Sequence, residues 1–197
     1  MRLVRLVFAV AAASALLGAC LPVTTRVPAG STMGFKVDPV LVGTWRGVAS
    51  DQDTPAHIQI LGNDDGTMTA VVVTPADKGT RGDRSIYRLR AAALGANHIL
   101  NAREVSLIGK ADTGPLTREH VLLAYRVEAR GKIGLYRMDD EATAAAIRAG
   151  EIAGEIEPGE TGDVRITATE PALDRFLGTP RAARLFNKLL VTLTRAK

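Results

Sequence analysis

Residues 57–74, HIQILGNDDGTMTAVVVT, decide the fold class. His57 to Leu61 alternates, with Ile58 and Ile60 on one face, the period-two pattern of a strand buried on one side. Asn63-Asp64-Asp65-Gly66 supplies turn chemistry: short polar side chains that bond their own backbone, then a glycine free to take positive φ. Thr67 to Thr74 returns through Val71-Val72-Val73. Two β-prone runs joined by an Asn/Asp/Gly link predict a hairpin.

The pattern continues on both sides. Upstream, Leu41 to Ala49 (LVGTWRGVA) reads as a strand, with Val42, Thr44, Arg46 and Val48 opposite Gly43, Trp45 and Gly47. Downstream, the polar loop 74–84 leads into Ser85 to Leu94, where Ile86, Arg88 and Arg90 lie opposite Tyr87, Leu89 and Ala91. Gly95-Ala96-Asn97 is a second turn and His98 to Val105 a second return. Residues 106–117, with Gly109, Gly114 and Pro115, read as loop. Glu119 to Ala129 (EHVLLAYRVEA) fits helix or strand by composition. Strand is favoured because Arg130-Gly131-Lys132 leads straight into Ile133 to Met138 as a third hairpin.

The late part changes character. Asp139-Asp140 before an Ala-rich run predicts a helix start, with Asp satisfying orphan amides and suiting the dipole, and Gly150 predicts its stop. Asp163 to Thr169 alternates as a strand. Thr169-Glu170-Pro171 opens a second short helix, Thr169 being its candidate cap and Leu173, Phe176 and Leu177 its apolar face. Arg181 to Phe186 is a further helical turn, and Leu189 to Arg195 a final strand. The fold class is mainly β, with about eight or nine antiparallel strands and short late helices. Closing such a meander removes its exposed edges, so an up-and-down β-barrel is expected. The alternative is a half-open, strongly curved meander with helices plugging one end.

The first twenty residues, MRLVRLVFAVAAASALLGAC, supply an address. Arg2 and Arg5 precede an apolar run from Leu6 to Leu17 and a small-residue site at Gly18-Ala19, the pattern of a cleaved leader. Leu17-Gly18-Ala19-Cys20 resembles the lipobox of bacterial lipoprotein precursors. The resemblance implies cleavage before Cys20, acylation of Cys20 and a membrane anchor in the cell envelope; acyl chains in combination anchor stably. Leu21 in place of Asp implies, by resemblance to enterobacterial sorting, an outer-membrane anchor with the body facing the periplasm. The expected organisation is a signal peptide over 1–19, a lipidated Cys20 and flexible Pro/Gly/Ser/Thr tether over 20–40, and a barrel-like domain over 41–197. Weak alternation from Met33 to Val37 leaves an extra strand open there.

Cys20 is the single cysteine, which excludes an internal disulfide, a Cys-rich zinc site and, once acylated, a catalytic thiol. Removal of 1–19 leaves 23 basic against 21 acidic residues, so the net charge falls from +4 to +2. With no basic run and 4% aromatic residues, nucleic acid is not an expected partner.

Gly43-Thr44-Trp45 on the first strand of the barrel domain resembles the Gly-x-Trp signature of the lipocalins and their calycin relatives. The resemblance implies that Trp45 packs across the closed end of the barrel and that a late arginine, here Arg195, covers its ring. Those roles are structural. The stretch from Tyr136 to Phe186 also resembles small uncharacterised lipoproteins of Gram-negative bacteria, which implies no particular chemistry.

Catalytic motifs are missing: there is no Gly-x-Ser-x-Gly elbow, no zincin His-Glu pair and no phosphate-cradling glycine loop, and Gly79 to Gly82 does not lead into a helix. His57, His98 and His120 each start a predicted strand; gathered at one rim they would make a metal site, and otherwise they are solitary histidines. Asp51, Asp53, Asp64 and Asp65 lie in or near loops without the calcium-loop pattern. Glu151, Glu155, Glu157 and Glu160 read as a solvated acidic loop. No cofactor is expected. The sequence therefore favours a non-enzymatic module that binds a small apolar ligand. The alternative is a structural lipoprotein with a packed barrel, whose loops 74–84 and 106–117 contact an envelope protein. A third reading is an enzyme built on His98 or His120 with a carboxylate.

Overall fold

The computed structural model describes residues 22–49, 55–75, 83–105, 119–158 and 163–196. The leader with Cys20, Asp51, Asp53, nearly all of loop 74–84, loop 106–117 and Glu160 lie outside the described residues. Eleven strands are described: β1 (Thr24–Thr25), β2 (Gly43–Ala49), β3 (Ala56–Gly62), β4 (Met68–Thr74), β5 (Asp83–Leu94), β6 (Asn97–Glu104), β7 (His120–Ala129), β8 (Lys132–Arg137), β9 (Gly154–Ile156), β10 (Val164–Ile166) and β11 (Lys188–Arg195). Three helices accompany them: α1 (Asp140–Arg148), α2 (Glu170–Leu177) and α3 (Pro180–Leu185).

Strands β2 to β8 form an antiparallel meander in which every strand pairs with the next. Strand β11 inserts between β8 and β2 and closes an eight-stranded barrel. The hairpin at 57–74 forms with Ile60 opposite Ala70 and Gly62 opposite Met68. Its turn requires Gly66, which sits at φ +78°; a Cβ there would also lie 2.5 Å from the Phe35 carbonyl oxygen.

The late helices do not plug an end of the barrel. They cover the outer wall of β6 and β7. Ile99, Leu122 and Ala124 point outward into a core shared with Met138, Leu173, Leu177 and Phe186. Leu100, Leu123 and Tyr125 point inward. A strand buried on both faces reads as a continuous apolar run, which is why 119–129 fits a helix equally well by composition. Helix α1 is capped by Asp139, which accepts from the Ala142 amide at 3.0 Å. Thr169 occupies the N-cap position of α2, but its side chain makes no capping bond.

Residues 22–40, the described part of the segment read above as a flexible tether, pack against the barrel instead, continuous with Leu41. Pro, Gly, Ser and Thr mark an absence of periodicity, and here the irregular chain is held by side chains from elsewhere. Val23, Thr25, Ala29 and Leu41 are buried. Strand β1 takes the edge of β7 that β8 leaves free, and β10 and β9 extend it. The fully buried Asn101 accepts from the Ala29 amide at 2.7 Å and donates to the Ala29 and Arg90 carbonyls at 2.9 and 3.0 Å. Asp174 accepts from the Gly30 amide at 2.5 Å and from the Thr32 hydroxyl.

Asn101→Ala should therefore cost more than an ordinary cavity at this position. It orphans the Ala29 N–H and C=O in a buried site, at about 1–3 kcal/mol for each group left without a partner. Urea unfolding should show a loss of about 2 kcal/mol or more; a loss below 0.5 kcal/mol would mean that Asn101 does not hold this segment.

Candidate functional site

The two ends of the barrel differ. At one end the β3–β4, β5–β6 and β7–β8 hairpins meet the start of β2 and the end of β11. Residues 35–42 run across this end. The Tyr125 hydroxyl donates to Asp38 at 2.5 Å, Val37 lies against Gly62, and Leu41 is wholly buried in the barrel interior. Trp45 is 1% exposed and its indole N–H donates to the Leu41 carbonyl at 2.8 Å. The Arg195 guanidinium lies 4.4 Å from the centre of the Trp45 ring and donates to the carbonyls of Val42 and Val40 at 3.2 and 3.3 Å.

Gly43 makes room for this arrangement. Its φ is +138°, and a Cβ would stand 2.5 Å from Arg195 Nη1. The glycine, the indole and the arginine are thus one packing unit that seals the end.

Behind that seal the barrel interior is not filled. A cavity of about 140 Å³ extends toward the opposite end. Its walls are inward side chains such as Ile58, Ala70, Val72, Leu123 and Leu193, so the surface is almost wholly aliphatic. Gly47 adds to the space, since a Cβ there would meet Ile58 Cδ1 at 2.7 Å. Only Glu104 among the described lining residues carries a carboxylate, and it faces Tyr87 across β5 and β6 near the far end. At that end β2, β4 and β6 finish and β3, β5 and β7 begin. An aliphatic hollow of this size stays dry when empty and accepts one small apolar group. A wider depression of about 640 Å³ lies beside the turn after α1, against α2 and α3, but its Glu151 and Arg181 are already paired with each other.

The three histidines are not brought together. His57 is exposed on the outer face of β3. His98 lies at the sealed end, its ring 5.3 Å from that of Tyr125. His120 is 5% exposed on the outer wall, opposite Thr25. Asp64 and Asp65 lie in the β3–β4 turn, where Asp65 accepts from the Thr67 amide and hydroxyl; that hydroxyl bond, more than any other influence, lowers its pKa. Asp139 accepts from the Ala142 amide, and the Arg137 guanidinium pairs with Asp140 at 2.7 Å. Glu155 pairs with Arg165 at 3.3 Å. Among the described residues no three His, Cys, Asp or Glu side chains gather in a way that would hold a metal ion. No described helix is long and apolar enough to cross a membrane.

Burial, then the charges of Arg90 and Arg103, push the His120 pKa down to about 4 from an ordinary 6.5. In the unfolded chain His120 takes a proton as pH falls below 6.5, while in the fold it stays neutral until about pH 4. Its contribution to stability is therefore fully present above pH 6.5 and is lost across that window on acidification. The difference in urea midpoint between wild type and His120→Gln should shrink from pH 7 to pH 4; a constant difference would contradict the burial of a neutral imidazole.

Sequence reading missed Glu104 and Tyr87 at the cavity, since an inward Glu near a strand end is indistinguishable from an edge residue until the barrel closes. It also missed the Tyr125–Asp38 bond, which joins positions far apart in the chain. Compared with family models, with curated proteins and with solved structures, the chain matches none.

Proposed function

We propose that this chain is an envelope lipoprotein, anchored through Cys20, whose barrel holds a small apolar ligand without transforming it. The observation that carries the ligand reading is the aliphatic cavity of about 140 Å³ behind the Trp45–Arg195 seal. A single ring or a short branched alkyl group fits such a volume, each buried methylene contributing about 0.8 kcal/mol. Glu104, at the end of the cavity opposite the Trp45–Arg195 seal, favours a ligand one end of which donates a hydrogen bond. The lipocalin resemblance of Gly43, Trp45 and Arg195 supports the same reading. The anchor reading rests on residues 1–20. Val23 is already buried three residues after Cys20, so an acylated Cys20 holds the domain within about 10 Å of the bilayer surface.

Purification from the membrane fraction in mild detergent, then solvent extraction and mass spectrometry, tests both parts. The expected result is a low-mass apolar compound in stoichiometric amount. Cys20→Ser should move the protein out of the detergent phase. Recovery of no compound, together with no binding of added apolar probes, would leave the packed structural lipoprotein as the better reading.

A further inference from the structure

We propose that Arg88, Arg90, Arg103 and His120 form a binding site for a phosphate-type oxyanion on the outer wall of the barrel. The register builds the site. Arg88 on β5 pairs directly with Arg103 on β6. The β6–β7 register, Ala102 opposite Val121, continues to place Arg103 beside His120, which in turn pairs with Thr25. Arg90 lies on the same face two residues along β5, its guanidinium 5.4 Å from the centre of the Phe35 ring. Adjacent strands are about 5 Å apart, so these cationic and imidazole groups occupy one short row.

Among the described residues the row has no free acceptor. Arg103 Nε and His120 Nδ1 are both buried without a hydrogen-bond partner, although His120 is 95% withdrawn from solvent, being 5% exposed. Asp65 is near enough to act on Arg88 and Arg90, but its carboxylate is engaged by Thr67. Glu119, the neighbour of His120, is bound by Arg165 at 2.7 Å and by the Thr24 hydroxyl at 2.6 Å. Like charges directly opposite each other on a sheet are destabilising, and buried donors without acceptors are costly. One oxyanion relieves both. Its oxygens accept from the planar guanidinium forks, the geometry that makes arginine the preferred partner of phosphate, while the neutral His120 adds a ring N–H. The donors stand on paired strands, so little order has to be created on binding.

The shared chemistry is a phosphoryl group, and it has two sources: a free phosphate compound or a phospholipid head group. The site stands independently of the cavity and of the anchor. Titration calorimetry with inorganic phosphate, pyrophosphate and soluble dihexanoyl phosphatidic acid tests it, with the His120 ring signals followed by NMR. Wild type should bind at least one of the three saturably, and binding should raise the pH at which His120 titrates. Arg88→Gln and Arg103→Gln should each weaken binding at least tenfold, and Arg46→Gln, on the exposed face of β2, should not. Should Arg103→Gln fail to fold, Arg88→Gln at an exposed position carries the comparison. Binding of phosphate or pyrophosphate assigns a free anion; binding of the phosphatidic acid alone assigns a head group. Binding of none, binding that Arg88→Gln leaves intact, or an equal loss in Arg46→Gln would overturn the proposal.

Discussion

Trp45→Ala should lower the unfolding free energy by about 3–5 kcal/mol, the range for deleting a buried aromatic side chain. The indole is 1% exposed, fills the sealed end of the barrel and donates to the Leu41 carbonyl. Its removal opens a void beside Leu41, which already lines the cavity, so the walls are less able to collapse onto it. Arg195→Gln should cost much less, about 0.5–1 kcal/mol, because its guanidinium is exposed and contributes mainly a cation–π contact. Gly43→Ala should resemble Arg195→Gln in displacing the guanidinium and add backbone strain at φ +138°. Urea unfolding of the three variants checks the ranking. A Trp45→Ala loss below 1 kcal/mol would mean that the end is sealed by something other than this unit.

Ala70→Leu should abolish or weaken ligand binding at least tenfold while leaving the fold intact. Ala70 is 4% exposed, points into the cavity and sits between Ile60 and Tyr87 in the register. Three added carbons occupy much of the 140 Å³. Inserting methylenes into a well-packed core costs about 1–3 kcal/mol, but here they enter empty space, and their burial stabilises by up to about 2 kcal/mol. Stability should thus be unchanged or raised. The thermal shift produced by the native ligand in wild type should disappear in the variant. A drop of 2 kcal/mol or more would show that the interior is already full.

Much of the fold is legible in the chain because its strands alternate. The turns at Gly66, Gly95 and Gly131 fall where Asn, Asp or Lys neighbours announce them, and each glycine has positive φ. The helix after Asp139 starts and stops at the residues that capping chemistry requires. Two short strands escape. Thr24–Thr25 and Gly154–Ile156 are too brief to show a period, and each exists only because a neighbour's edge is open to it. The tether reading fails for a related reason: Asn101 and Asp174, distant in sequence, hold Ala29 and Gly30. The cavity is less legible still. Alternation identifies which side chains point inward, but whether eight strands of Ala, Gly, Val and Leu fill the barrel depends on summed volumes. Small residues at Gly47, Ala56, Ala70 and Ala102 leave it hollow. The arginine row was visible as Arg88 and Arg90 sharing a face; only pairing with β6 and β7 adds Arg103 and His120.

Methyl NMR of the protein under xenon or with added benzene probes the hollow interior itself. Saturable shifts confined to cavity-lining methyls, including Ile58, Val72 and Leu123, are expected in wild type, and their loss in Ala70→Leu. No shift at those methyls in wild type, or the same shifts in Ala70→Leu, would contradict a hollow, ligand-accepting barrel.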